Sequence, residues 1–184
     1  MSKAKERAFE VVRGGRFLPT PSVLAFGMDE DLLSDRELGA LRWVRDAGYA
    51  IAVFAHEPAE PLRAQLAEHG IPAAVLADDE GPASEPDAPF TVAAARAEDL
   101  ARFCAQRGAT LEQAVVIAVT PRDCEAMMSA GRALALYGAG IDASVAAEQT
   151  FFDRAMSGLV HALNAAVAMR VYKPSFLGIS GEDW

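Results

Sequence analysis

Short apolar runs alternate with amphipathic stretches along most of the chain. The apolar runs cover residues 22–26, 49–55, 73–77, 114–119 and 132–136, and each has the length of a buried strand. In the stretches between them, apolar residues recur at helical spacing. This alternation is typical of a mainly parallel sheet covered by helices, so we predict an α/β fold with about five strands.

The helical stretches are predicted over residues 35–47, 61–69, 91–106 and 121–130. A longer helical pattern runs from residue 143 to about residue 171, with a break near Ser157 and Gly158. The apolar face of the helix over 35–47 is predicted to consist of Leu38, Leu41, Trp43, Val44 and Ala47.

Residues that break regular secondary structure divide the chain into three segments. Residues 1–21 are predicted to hold an N-terminal helix over 4–13 and a lead-in, residues 22–171 form the α/β domain, and residues 172–184 form an irregular tail. The stretch 78–87 contains five acids and two prolines and no large apolar residue. We therefore predict that it is a solvated loop.

Composition and charge narrow the classes of function. A chain of 184 residues that is 52% hydrophobic can build one core. With 17 Lys and Arg against 26 Asp and Glu, the net charge is −9, so nucleic acid and anionic membranes are poor partners. Because no apolar run is long enough to span a bilayer and the first residues do not resemble a signal peptide, we expect a cytoplasmic protein.

Cysteine and histidine are too scattered for the usual metal or disulfide frameworks. Cys104 and Cys124 form no Cys-x-x-Cys motif, and His56, His69 and His161 show no metal-ligand spacing. A zinc site and a disulfide framework are therefore not expected. The kind of metal site that the sequence leaves open is one built from oxygen ligands.

The residues that directly follow the strands are the candidates for chemistry, because ligands of open parallel sheets bind beyond the carboxyl ends of the strands. Asp29, Glu30 and Asp31 follow the first strand; they either bind a cation such as Mg²⁺, or cap the next helix and stay solvated. His56 follows the second strand as a base or ligand-orienting group, or as a solvated residue. Cys124 lies in a first helical turn, either as a reactive thiol with a lowered pKa or as a small core residue.

Several stretches resemble, in order, the motifs of the haloacid dehalogenase (HAD) superfamily of phosphohydrolases. Residues 23–33 are similar to its first motif, an apolar strand that ends in Asp-x-Asp-Gly-Thr-Leu, and residues 38–58 are similar to the region around its second. Residues 96–100, 119–131 and 147–163 resemble the third motif, the fourth motif and the closing segment of the sugar-phosphatase branch. The resemblance covers about residues 22–165. It implies a three-layer Rossmann-like fold, without a cap domain because the stretch 78–87 is too short for one.

The chain departs from the family pattern at the positions that carry the family's chemistry. The family's nucleophilic aspartate falls on Gly27, which has no side chain, and the aspartate that follows it is kept as Asp29. The remaining degenerate positions are the phosphate-binding hydroxyl at Ala55, the lysine at Arg96, and the metal-binding motif at Thr120, Asp123 and Cys124.

These departures predict a catalytically silent member of the fold, a pseudo-phosphatase that acts as a binding, regulatory or structural module. No cofactor is expected, and Asp29 and Asp123 are at most weak ligands for Mg²⁺. The alternative shifts the first motif by two residues, so that Asp29 is the nucleophile and Asp31 the general acid of a divergent Mg²⁺-dependent phosphohydrolase.

Capless members of this superfamily often oligomerise, so the resemblance implies a protein partner or self-association. The tail over 172–184 is a second candidate contact, since apolar side chains at a terminus either pack on their own domain or dock elsewhere. Its candidate partner-binding residues are Phe176, Leu177, Ile179 and Trp184.

Overall fold

A computed structural model describes residues 19–78, 88–136 and 152–171. It contains one six-stranded sheet, all parallel, with the strand order β3-β2-β1-β4-β5-β6. The strands are β1 Val23–Gly27, β2 Ala50–His56, β3 Ala73–Asp78, β4 Ala114–Ala118, β5 Arg132–Leu136 and β6 Phe152–Met156. The helices are α1 Asp35–Asp46, α2 Glu60–Glu68, α3 Ala88–Gln106, α4 Cys124–Ser129 and α5 Leu159–Val171, with 3₁₀ turns at Leu111–Gln113 and Pro121–Asp123.

The sheet is apolar on both faces because helices cover both. Every residue of β1 and of β4 is buried. Alternate residues point to opposite faces, so Leu24 and Phe26 join one core cluster while Val23 and Ala25 join the other. The first cluster includes apolar residues of α1, α2 and α5, and the second includes residues of α3 and α4. The predicted α/β sandwich is thus confirmed.

Helix α1 begins with a capping box. The Ser34 hydroxyl accepts a hydrogen bond from the Glu37 N–H, and the Glu37 carboxylate accepts one from the Ser34 N–H at 2.8 Å. Leu38, Leu41 and Val44 are buried as predicted. Trp43 is 69% exposed, so its assignment to the buried face was wrong. At 3.6 residues per turn, position 43 lies on the side of α1 that faces away from the sheet.

Helix α5 closes the core by returning to the start of the sheet. It packs against α1. The Tyr49 hydroxyl donates to the Ala166 carbonyl at 2.7 Å, and burial raises the pKa of this phenol above its usual range. Arg170 donates from Nε to the Ala47 carbonyl at 2.6 Å and from Nη1 to the Pro21 carbonyl. These bonds join the carboxyl end of α5 to the amino end of the sheet.

Two further sequence predictions need correction. The helix expected from residue 143 to about residue 171 is wrong over Phe152–Met156, which pairs with β5 as a sixth parallel strand, and confirmed over Leu159–Val171. Residues 143–151 of this prediction lie outside the described residues. The break at Ser157 and Gly158 is where the strand ends and α5 begins. The helix expected over 121–130 begins with the 3₁₀ turn Pro121–Asp123.

Some predictions fall on other parts of the chain. The helix over 4–13 and the tail residues Phe176, Leu177, Ile179 and Trp184 lie outside the described residues. Only residues 79–87 separate β3 from α3, which leaves no length for a cap domain at that position. None of the helices within the described ranges combines the length and the hydropathy that crossing a bilayer requires.

Candidate functional site at the carboxyl edge of the sheet

The centre of the sheet's carboxyl edge is the end of β1, which lies between β2 and β4. Strand order reverses here, and this is the crevice in which open α/β sheets bind their ligands. Gly27 is the last residue of β1, is buried, and pairs in register with Phe54 of β2. A ligand of this fold is therefore expected above Gly27.

A buried guanidinium lies at this edge of the sheet. Arg96 of α3 is only 2% exposed, and its Nη1 donates to Asp123 Oδ1 at 2.6 Å. Its Nη2 donates to Asp78 Oδ1 at 3.1 Å, and its guanidinium carbon lies 5.6 Å from the centre of the Phe54 ring. A buried cation is tolerated only with such partners. Arg96 thus joins α3 to the last residue of β3 and to the turn that follows β4.

Asp123 is completely buried, and hydrogen bonds hold both of its carboxylate oxygens. Oδ1 accepts from Arg96, while Oδ2 accepts from the N–H groups of Val119 at 2.9 Å and Thr120 at 3.0 Å. Pro121 suits the first position of this turn because it has no N–H that would need a partner. The local turn therefore aims the Asp123 carboxylate back toward the end of β1.

Gly27 and Asp123 fit together so closely that no side chain has room at position 27. A Cβ atom on Gly27 would lie 2.0 Å from Asp123 Oδ2 and 2.5 Å from its Cγ. Real Cβ atoms essentially never show distances under 3.0 Å, so a residue other than glycine would have to displace the carboxylate. The position that the resemblance matches to the family's nucleophile is thus filled by a carboxylate from the β4 side.

The acids that follow β1 lie outside this buried cluster. Asp29, Glu30 and Asp31 are all exposed, and the Asp31 side chain is 86% exposed. Asp31 Oδ1 lies 3.5 Å from His56 Nε2, so the structure brings these two candidates together. The loop itself is anchored, because the Leu33 N–H and carbonyl each bond the Gln65 side chain at 2.9 Å.

The other candidates lie near the cluster with ordinary packing. Ala55 is buried at the end of β2, and Thr120 contributes its N–H to Asp123. Cys124 is half-buried at the start of α4. Burial, followed by the negative charge of Glu125, raises the pKa of the Cys124 thiol, which is opposite to the lowering that a reactive thiol requires.

Asp78 is the cluster member that the sequence analysis misplaced. It was assigned to the solvated loop over 78–87, but it is the last residue of β3, and its side chain is 9% exposed and paired with Arg96. The rule that residues at the ends of parallel strands meet could have found it. The run of acids that follows it concealed that signal.

The side chains present do not fit a Mg²⁺ site. Of the two weak candidates, Asp123 has both oxygens engaged and Asp29 is exposed. Within residues 19–78, 88–136 and 152–171, no group of three or more His, Cys, Asp or Glu side chains is arranged to hold a metal. Mg²⁺ needs near-octahedral oxygen coordination, which this set does not offer.

Comparisons with known proteins bear on the fold. The sequence matches no protein-family model, and it matches no curated protein. Among solved structures, it is similar to the cobalt-bound deoxy-D-mannose-octulosonate 8-phosphate phosphatase of Haemophilus influenzae, at 16% identity and a TM-score of 0.57 over 85% of this chain and 93% of that one.

Two further solved structures are similar to the chain. The 3-deoxy-D-manno-octulosonate 8-phosphate phosphatase of Moraxella catarrhalis, solved with magnesium, phosphate and KDO, has 13% identity and a TM-score of 0.57 over 97% of this chain and 98% of that one. A candidate HAD-like phosphatase of Mesorhizobium loti has 17% identity and a TM-score of 0.57 over 84% and 90%. The chain therefore has the HAD-like α/β fold.

Proposed function

We propose that this protein is a catalytically silent member of the HAD-like fold that acts as a binding, regulatory or structural module. The observation that carries the proposal is the contact between Gly27 and Asp123. The Asp123 carboxylate lies where a nucleophilic side chain on β1 would have to be. Glycine at position 27 offers no atom that can attack phosphorus.

The hydrogen bonds around Asp123 support the same conclusion. Covalent phosphoryl transfer needs a nucleophile together with donors that stabilise the charge on the transferred group. Arg96 is a buried cation at this edge, and both of its terminal nitrogens are bonded to carboxylates of the chain itself. A phosphate above Gly27 would have to displace these internal anions, which are already oriented and buried.

A second candidate function is a divergent phosphohydrolase that uses Asp29 as nucleophile and Asp31 as general acid. Two observations favour it. Asp31 lies 3.5 Å from His56, at the end of the neighbouring strand, and the similar structures from Haemophilus influenzae and Moraxella catarrhalis are named phosphatases. Mg²⁺ is the cofactor that this candidate would require, although the described side chains do not build a site for it.

A phosphatase screen separates the two candidates. The wild-type protein is assayed with a panel of phosphomonoesters in the presence of Mg²⁺, beside Asp29→Asn, Asp31→Asn and the matched control Glu30→Gln on the same loop. We expect no turnover above that of the buffer for any of the four proteins. Mg²⁺-dependent turnover that is lost in Asp29→Asn but kept in Glu30→Gln would replace the first candidate with the second.

A further inference from the structure

The hydrogen-bond donors around the Asp123 carboxylate form a site that is built for an anion. They are the Val119 N–H at 2.9 Å, the Thr120 N–H at 3.0 Å and Arg96 Nη1 at 2.6 Å. Arg96 is 2% exposed, and Asp123 is completely buried. Hydrogen bonds with an ionised partner are about twice as strong as neutral ones, so this donor set strongly favours a carboxylate.

The site depends on this one carboxylate. Arg96 Nη2 is bonded to Asp78 at 3.1 Å, and among the described residues Arg96 Nε already has no hydrogen-bond partner. Without the Asp123 carboxylate, Arg96 Nη1 and the two N–H groups would lose their acceptor as well. A buried donor that loses its acceptor costs the full desolvation penalty of that donor. The emptied site would therefore gain by binding another anion.

The Asp123 oxygens lie at nearly the same distance from two different backbones. From a Cβ built on Gly27, Oδ1 of Asp123 is 2.6 Å away and Oδ2 is 2.0 Å away. Within an aspartate side chain, covalent geometry places each oxygen about 2.4 Å from its own Cβ. An aspartate at position 27 can thus reach the same donors once the Asp123 side chain is absent.

We infer that Arg96 and two backbone N–H groups form a carboxylate-binding site, for which Asp123 is the internal ligand. In the wild-type chain the ligand comes from the turn after β4. When that carboxylate is removed, the site takes one from β1, or a small free carboxylate such as formate. Asp78 stays on Arg96 in each case, so the charge of the cluster is unchanged.

The inference deepens the proposed function and rests on it through the contact between Gly27 and Asp123. Its readout is anion binding, whereas that of the proposed function is turnover. Turnover by the wild-type protein would refute the silent role and leave the carboxylate site intact. A protein without turnover whose emptied site ignores formate would refute the site alone.

The variant Asp123→Gly removes the internal ligand. Its thermal unfolding is followed with sodium formate from about 1 mM to about 300 mM, at a constant ionic strength set with sodium chloride. At about ten times the dissociation constant, formate should raise the Tm by roughly 3 to 6 °C for a chain of this size.

Three controls separate binding at this site from a general effect of the salt. Formamide has nearly the shape of formate without its charge and should leave the Tm of Asp123→Gly unchanged. The wild-type protein should not respond to formate, because Asp123 fills the site. Asp99→Gly on α3 makes the same substitution at an exposed ion pair, with Arg102, and should not respond either.

Moving the carboxylate to β1 tests the site without an added anion. The double variant Gly27→Asp/Asp123→Gly should have a Tm several degrees above that of Asp123→Gly, and it should no longer respond to formate. Gly27→Asn/Asp123→Gly supplies the same shape without the charge and should not recover the Tm.

Two results would overturn the inference. One is an Asp123→Gly protein that formate stabilises no more than formamide does. The other is a Gly27→Asp/Asp123→Gly protein that is no more stable than its asparagine counterpart. If Asp123→Gly is unfolded at 25 °C, the helical circular-dichroism signal that returns with formate or with Gly27→Asp is the same readout, and its failure to return has the same meaning.

Discussion

Asp123 and Asp29 both lie close to the end of β1, yet their surroundings are opposite. Asp123 is completely buried and shares its oxygens among Arg96 and two backbone N–H groups, whereas Asp29 is exposed on the following loop. A buried carboxylate must be fully paired, so it is fixed in place and contributes to folding. An exposed one is free to meet a ligand and contributes little to stability. Aspartate therefore has a structural role at the buried position 123, whereas at the exposed position 29 it is available only for chemistry.

Removing the cation from the buried cluster of Arg96, Asp123 and Asp78 should have the largest effect on stability. Arg96→Met leaves Asp123 and Asp78 without their shared partner, and we expect it to lower the free energy of unfolding by about 3 to 5 kcal/mol. Urea denaturation measures this loss. Arg102→Met is the control on the same helix, since it breaks the exposed ion pair with Asp99 and should cost less than about 1 kcal/mol. Equal losses would contradict the structural role of Arg96.

Filling the space at position 27 should have the next largest effect. Gly27→Ala forces the Asp123 carboxylate off its partners, and overpacking of this kind typically costs about 1 to 3 kcal/mol. Gly158→Ala, where a Cβ meets no atom within 4 Å, should be nearly neutral. In a double-mutant cycle, Gly27→Ala should cost less in an Asp123→Ala background. Strictly additive losses would show that the two positions do not meet.

The reactivity of the Cys124 thiol shows whether the buried environment extends one residue beyond Asp123. Its thiol pKa is raised, so at neutral pH it carries less thiolate than an ordinary cysteine and should be alkylated more slowly. The rate should rise with pH, with its midpoint above that of the same cysteine in the urea-unfolded chain. Peptide mass spectrometry after iodoacetamide treatment separates Cys124 from Cys104. Faster alkylation in the folded protein would restore the reactive-thiol alternative.

Substitutions of the exposed acids after β1 should have the smallest effect on stability. Asp29→Asn and Asp31→Asn should each change the free energy of unfolding by less than about 0.5 kcal/mol, since surface substitutions usually do. The contact of the exposed Asp31 carboxylate with the half-buried His56 ring is 3.5 Å long and adds little. Thermal unfolding at pH 7 checks both variants. A loss of unfolding free energy comparable to that of Arg96→Met would mean that the exposed acids are as important for folding as the buried cluster.

The strands were predictable because their signal is local. β1, β2 and β4 are continuous apolar runs, as strands covered on both faces must be. β6 was missed because Asp153 and Arg154 interrupt its sequence, which lies between stretches that favour helix. The exposure of Trp43 was also missed, because helical spacing alone does not show which side of a helix packs on the sheet.

The candidate site was predictable only in outline. Residues at strand ends gather at one edge by topology, so Gly27, Ala55 and Asp123 could be placed there from the sequence. The pairing of Arg96 with Asp123 and Asp78 joins residues 27 and 18 positions apart, and depends on how α3 lies on the sheet. No local pattern distinguishes an arginine that binds a ligand from one that neutralises the chain's own acids.

The closure of the core by α5 also bears on how the protein is made. The bonds from Tyr49 to Ala166, from Arg170 to Ala47 and from Arg170 to Pro21 join residues that are 117, 123 and 149 positions apart. Synthesis on the ribosome runs from the amino end, so β1, α1 and β2 are made long before the helix that completes their packing. Contacts of such separation slow folding, because a long loop must close before they form. Until α5 emerges, the nascent chain holds an unfinished apolar face on the α1 side of its sheet.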